Sequence, residues 1–224
     1  MINFQDNTID AYSIGDAWRE LITLAVRNGY DYKIESGSYE GQIRKQLGSL
    51  MIEILNPSQR PLAPIMPPNI PPPTDDDKIG EYAERYLLSN RKSENEVYTY
   101  GEHIVAQLPH IIECLNRSNG NTNQARIAIG NEQTTLLSDP PCLNSINFKV
   151  VNGKLNMSVL FRSWDIVSGF PENMGGLQIL KEYVLAHLTF PCEDGKLIAY
   201  SDGAHIYEMY FDLVNVLNVE KIKC

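Results

Sequence analysis

The chain has 224 residues, 43% of them hydrophobic, and a formal net charge of -9. That length and composition suit one domain with a sizeable core. An acidic chain, of pI about 4.9, has no general field for nucleic acid or anionic lipid, so an anionic ligand must be held by a few placed cations.

The opening run Met1-Ile2-Asn3-Phe4-Gln5-Asp6 has no basic stretch followed by an apolar one, so no signal peptide is expected. No run approaches the roughly 20 apolar residues of a membrane span. A cytoplasmic chain without membrane or nucleic-acid partners is expected. Segment 11–28 places Ile14, Ala17, Trp18, Leu21, Ile22 and Ala25 at helical spacing and closes on Gly29. A polar, glycine-bearing loop at 35–42 follows. Leu50-Met51-Ile52-Glu53-Ile54-Leu55 reads as a strand ending at Asn56-Pro57. Residues 57–73 hold eight of the 13 prolines and read as a stiff, extended connection. Segments 79–89 and 103–116 read as helices, with Pro109 a candidate kink in the second.

Beyond 121 the character changes. Residues 125–129 read as a strand. The runs 144–151 and 155–161 alternate around Asn152-Gly153, a strong hairpin signal. Segment 174–188 reads as a helix, 197–201 as a strand, and 204 onward as a helix. This order predicts an α+β fold with a sizeable sheet. The four cysteines, Cys114, Cys142, Cys192 and Cys224, lie 28, 50 and 32 positions apart. No close pair suggests a metal knuckle, so reduced thiols and no metal are expected.

The chemistry concentrates between Cys142 and Asn173. Cys142 follows Pro140-Pro141 and is either a small core residue or a nucleophile. An ideal hairpin register sets it opposite Ser163, with Arg162 alongside, and a nearby guanidinium lowers a thiol pKa. Arg126 lies in the apolar run Ala125-Arg126-Ile127-Ala128-Ile129, and Arg162 lies between Phe161 and Ser163. Each arginine implies an anionic partner, either an internal carboxylate or a ligand phosphate. Asn173, read as just preceding a helix, is either an N-cap or a reader of a base edge. Its carboxamide matches the O4 acceptor and N3–H donor of uracil, whereas an aspartate there would favour cytosine. His205 and Tyr207 either pack a helix start or bind a sugar hydroxyl.

Taken together, Pro141-Cys142, Arg162-Ser163-Trp164-Asp165 through Gly169, Pro171 and Asn173, and Asp202-Gly203-Ala204-His205-Ile206-Tyr207 resemble the thymidylate synthase family. Tyr100-Gly101 ahead of a helix also matches. The resemblance implies a single α+β domain over 1–224, with a large mixed sheet packed by helices, working as a homodimer. It implies a methyltransferase in which Cys142 adds to C6 of dUMP and Tyr100 serves removal of the C5 proton. Arg162 and Ser163 would hold the phosphate, and Arg126 would reach the partner subunit's phosphate. Asn173 would read uracil, and His205 and Tyr207 would bind the 3′-hydroxyl. Asp165 and Gly169 would contact the cofactor, a reduced pterin carrying a methylene group.

The chain departs from the family pattern in places. The Arg-Thr-Gly-Thr-Gly phosphate loop is missing, and Arg44 is the candidate substitute. Leu143 replaces the histidine after the cysteine, and the folate-stacking tryptophans have no match. The catalytic glutamate falls to Glu81 or Glu84. Only 17 residues follow Tyr207, where the family has a longer tail that closes over folate. This shortened pattern resembles archaeal members, so the donor is either a methylenetetrahydromethanopterin type or methylenetetrahydrofolate. The alternative activity is a pyrimidine nucleotide 5-hydroxymethylase, with water replacing hydride in the last step. A catalytically silent nucleotide binder is a third reading; the intact nucleophile argues against it, and the acidic pI disfavours an RNA-binding version.

Overall fold

The computed structural model describes residues 7–35, 39–94 and 96–221, with side chains described as far as residue 217. Ser36, Gly37 and Ser38 of the polar loop, and Cys224, lie outside the described residues.

The first elements are β1 (Thr8–Ala11) and α1 (Ile14–Asn28). Ser13 caps α1 reciprocally with Asp16: the hydroxyl accepts the Asp16 N–H, and the Asp16 carboxylate accepts the Ser13 N–H. Ala11 therefore belongs to the strand before the helix. Next come β2 (Tyr30–Lys33), β3 (Ile43–Gln46) and β4 (Leu50–Ile54), then α2 (Asp76–Tyr82). The predicted 79–89 helix starts earlier, capped by Asp75, and its last turn, Ala83–Leu87, widens into a π-helix. Helix α3 (Tyr100–Arg117) runs on through Pro109. Then follow β5 (Arg126–Ala128), a short α4 (Glu132–Thr135), β6 (Leu143–Val151), β7 (Lys154–Phe161), β8 (Trp164–Asp165), α5 (Gly169–Ala186), β9 (Glu193–Ser201), β10 (Ala204–Tyr207) and α6 (Phe211–Lys221).

The six-stranded mixed sheet has the order β1-β4-β9-β7-β6-β5. Its register separates two faces, because side chains alternate along each strand. The row Ile9, Ile52, Ala199, Val159, Ile146, Ile127 runs across all six strands and is buried throughout. Helices α1, α3 and α5 pack on that side. The neighbouring row Asp10, Glu53, Ile198, Ser158, Asn147, Arg126 points the other way and is half-buried or exposed. A second sheet has the order β2-β3-β10-β8.

Three local expectations are corrected. Residues 204–207 form a strand, because pairing with β3 and β8 buries Ala204, His205 and Ile206, and tertiary pairing overrides a weak helical pattern. Helix α5 begins at Gly169 rather than at Met174. Pro171 is its third residue, where no intrahelical N–H is needed, so Asn173 lies inside the helix and is not its N-cap. The Asn152-Gly153 turn pairs Val151 with Lys154 as expected, but a bulge at Asn144 shifts the far end of the hairpin. Leu143 then faces Phe161, and the Arg162 N–H donates to the Cys142 carbonyl at 2.9 Å. Cys142 therefore lies opposite Arg162, not Ser163.

Candidate active site

Cys142 is half-buried at the mouth of β6. Arg162 wraps the segment leading into it. Its Nε donates to the Pro141 carbonyl at 3.1 Å, and Nη2 reaches the Pro140 carbonyl and, at 3.1 Å, the Asp139 carboxylate. The N–H of Leu143 donates to the Tyr100 hydroxyl at 3.3 Å. A guanidinium and a phenol thus flank the thiol, each tied to its backbone.

The expected low thiol pKa is corrected. Burial pushes the Cys142 thiol up; Arg162 pulls it down, Asp139 pushes it up and Arg44 pulls it down, and the balance stays above the ordinary value. The guanidinium is present as predicted, but desolvation is the larger effect. Arg44 acts on Cys142, His205 and Tyr207 alike, which brings it into the same electrostatic neighbourhood.

Four tyrosines build one wall. Tyr82 and Tyr86 lie 5.6 Å apart by ring centroid, Tyr86 meets Tyr100 edge-on at 5.4 Å, and Tyr98 lies 5.9 Å from Tyr100. Burial raises Tyr100 well above the ordinary phenol value, with Tyr82 and Cys142 next among the causes. Glu81 and Glu84, the two candidates for a catalytic carboxylate, are exposed, and Glu81 pairs with Arg85 at 2.5 Å. Tyr82, between them, turns inward instead. Its buried hydroxyl has no hydrogen-bond partner among the described residues, although Asn173 is near enough to favour its ionised form. Tyr82 went unpredicted. The one signal for it was its spacing with Tyr86, which reads equally well as packing.

Asn173 stands behind that wall. Its Oδ1 accepts the Trp164 indole N–H at 3.0 Å. Gly169 leaves room beside it, since a Cβ there would sit 3.7 Å from that oxygen. Asp165 holds the turn into α5: its carboxylate accepts the Val167 N–H at 3.0 Å and the Ser168 hydroxyl at 2.5 Å, and burial raises its pKa. Ser163 sits between β7 and β8, and its Cα would lie 3.5 Å from a Cβ on Gly203.

The small sheet brings Arg44, His205 and Tyr207 together. Across it, Tyr32, Arg44 and Tyr207 form one row, and Tyr30, Gln46, His205 and Asp165 form a row on the same face. Arg44 Nε, Gln46 Oε1 and His205 Nε2 are all buried without a partner among the described residues. Buried polar atoms are normally satisfied, so three such atoms on one face suit a polar ligand or ordered water. His205 uses Nδ1–H to bind the Gly203 carbonyl at 2.8 Å, which leaves Nε2 as an acceptor, and burial holds its pKa down at about 4. Tyr207 packs edge-on against His205 and tilted against Tyr39, each at 4.6 Å, and burial raises it to about 12. Arg126 is not part of this grouping. It lies exposed on the open face of the large sheet and has no ion pair among the described residues.

A cavity of about 600 Å³ adjoins the tyrosine wall and shares Tyr82 and Tyr86 with it. Glu172, Lys78, Arg91 and Lys92 complete much of its lining. Its size suits a drug-sized or cofactor-sized ligand.

The thymidylate synthase family profile matches residues 15–221. The chain belongs to the thymidylate synthase family, a family of methyltransferases. A Methanosarcina acetivorans protein, provisionally described as a thymidylate synthase, is 30% identical over 214 residues, covering 92% of each chain. One from Methanothermobacter thermautotrophicus, with the same description, is 27% identical over 220 residues, 91% of this chain and 95% of its own. Among solved structures, the thermostable thymidylate synthase A from Bacillus subtilis superposes with a TM-score of 0.67 at 16% identity, covering 92% of this chain and 83% of that one. The α+β fold expected from the sequence is therefore that of the family.

Proposed function

We propose that this chain methylates dUMP to dTMP through a covalent bond between the Cys142 sulfur and C6 of uracil. The observation that carries the reading is the placement of the thiol: Tyr100 and Arg162 contact the backbone on either side of it, and Arg44 of the small sheet acts on it electrostatically.

In this reading the Cys142 thiolate attacks C6, and the electron pair of the C5=C6 bond moves toward O4, leaving C5 nucleophilic. Asn173 meets O4 and N3–H and stabilises the charge developing there. Arg162, Ser163 and Arg44 hold the phosphate, and Arg162 exchanges Asp139 for it. His205 Nε2 accepts the 3′-hydroxyl, with Tyr207 beside it. Tyr100 moves the C5 proton, and release of Cys142 restores the ring. A reduced pterin supplies the one-carbon unit and the hydride when bound. The cavity fits such a group, since Tyr82 and Tyr86 offer ring faces and Glu172, Lys78 and Lys92 offer both signs of charge. Asp165 and Gly169, at the turn into α5, would contact the pterin in this reading. The donor in this reading is a methylenetetrahydromethanopterin type or methylenetetrahydrofolate. The chain acts as one catalytic domain in a homodimer joined through the open face of the large sheet, with Arg126 completing the partner's phosphate site.

The test is turnover of dUMP with each methylene-charged pterin, read by product mass, for wild type and Cys142→Ala. The expected product is dTMP, lost in Cys142→Ala. A hydroxymethyl product would replace this reading with the 5-hydroxymethylase. Unchanged turnover in Cys142→Ala would refute covalent catalysis.

A further inference from the structure

We propose that Trp164 sets the preference of this site for uracil over cytosine by fixing which end of the Asn173 carboxamide is the acceptor. The inference rests on the dUMP reading above. An indole nitrogen only donates. With Trp164 Nε1 at 3.0 Å, the atom facing it must be an oxygen, and that is Oδ1. Reversing the amide would set its NH2 against the indole N–H, two donors face to face. The orientation of Asn173 thus follows from chemistry rather than from a choice between two similar shapes.

The indole cannot swing aside to permit the reversal. Trp164 is 3% exposed, stacks on Phe161 at 4.1 Å with planes 7° apart, and lies 4.9 Å from the Phe170 ring. The other polar neighbour of the amide, the Tyr82 hydroxyl, both donates and accepts, so it suits either orientation and selects neither. Gly169 sets no side chain against Oδ1, where a Cβ would lie 3.7 Å away. Held this way, Asn173 presents an acceptor and a donor that match N3–H and O4 of uracil. Cytosine presents N3 as acceptor and its amino group as donor, which only the reversed amide matches. One indole proton therefore separates the two bases.

The experiment is calorimetric binding of dUMP and dCMP, without pterin, to wild type, Trp164→Phe, Asn173→Ala and the double variant. Phenylalanine keeps the stack on Phe161 and removes the N–H. The expected result is a dUMP-to-dCMP affinity ratio that falls roughly tenfold in Trp164→Phe, the usual worth of one hydrogen bond. In the Asn173→Ala background, with no amide to orient, the same substitution leaves the ratio unchanged. A ratio that stays at the wild-type value in Trp164→Phe, or falls equally in both backgrounds, overturns the inference. A wild type that binds both nucleotides equally also overturns it while leaving the dUMP reading standing. A wild type that binds neither refutes that reading and this inference together. Should Trp164→Phe fail to fold, the wild-type indole protons decide. The chain has two tryptophans, so Trp18→Phe assigns the signals. Saturating dUMP is expected to shift the Trp164 indole proton, and one left unmoved overturns the inference.

Discussion

Replacing His205 by asparagine changes how the stability of the protein depends on pH, by an amount the structure sets. His205 is 2% exposed on β10, and burial, aided by Arg44 and opposed by the Gly203 carbonyl, holds its pKa down at about 4. In the unfolded chain the value is about 6.5. Between those pH values the unfolded chain binds a proton that the native state refuses, so stability rises with pH across the window. The contribution is fully present above pH 6.5 and is lost as pH falls toward 4. At 1.36 kcal/mol per unit the whole window is worth about 3 kcal/mol, and the part between pH 6.5 and 5 about 2 kcal/mol. Asparagine has no proton to gain. Urea unfolding followed by tryptophan fluorescence, at pH 7 and pH 5, should show wild type losing about 2 kcal/mol more than His205→Asn. All other titrating groups are shared, so the difference isolates this one. An equal loss in both proteins, or a His205 ring proton titrating near 6.5 in the folded state, would refute the reasoning. The corollary is that Nε2 remains a neutral acceptor throughout the physiological range.

Asp139→Asn removes a charge that raises the Cys142 thiol and occupies Arg162; alkylation of Cys142 by iodoacetamide at pH 7.5 should quicken, whereas Arg162→Met should slow it. Tyr100→Phe keeps the ring but removes the hydroxyl that accepts the Leu143 N–H. Turnover should fall by about 10²–10⁴, the range of proton-transfer catalysis, with dUMP affinity within about threefold; a weakened affinity at unchanged turnover would reject the assigned role. Lys181 is fully buried and paired with Asp194 at 3.2 Å. Lys181→Met should cost about 3–5 kcal/mol by stranding the carboxylate, and Lys181→Met with Asp194→Leu should recover most of it, as read by urea unfolding.

The sequence carried much of the candidate site because its residues lie in short, ordered runs. Asn152-Gly153 fixed the β6–β7 hairpin, since both residues must take positive φ, 52° and 76°. That put Cys142 near Arg162 without any long-range information. The bulge at Asn144 was not legible, because it depends on how β6 meets β5 and β7 together, and it moved the pairing by one residue. The thiol pKa was misjudged for a related reason: charge neighbours can be read from adjacent runs, whereas desolvation depends on what covers the residue. Strand β10 is too short and too apolar to declare its state before β3 and β8 are placed beside it. Tyr82 was hidden between two glutamates that looked better suited to catalysis, and only the helix rotation shows which side chain faces inward.

The open face of the large sheet carries the last argument. Six strands present Asp10, Glu53, Ile198, Ser158, Asn147 and Arg126 in one continuous row, with Tyr200, Leu160 and Met51 on the same side. Helices cover the opposite face, and a sheet that wide, with apolar residues among its polar ones, suits packing against a second copy. If Arg126 serves the partner's site, a chain lacking Cys142 and a chain lacking Arg126 complement each other. In the mixed dimer of Cys142→Ser and Arg126→Ala, one site holds both an intact Cys142 and the Arg126 of the other chain. Mixing the two variants under conditions that exchange subunits should restore activity above that of either alone. Ser158→Arg, which places a charge at the centre of the face, should give a monomer by light scattering and abolish complementation. If exchange is shown and activity stays at the level of the separate variants, Arg126 acts within its own chain or not at all.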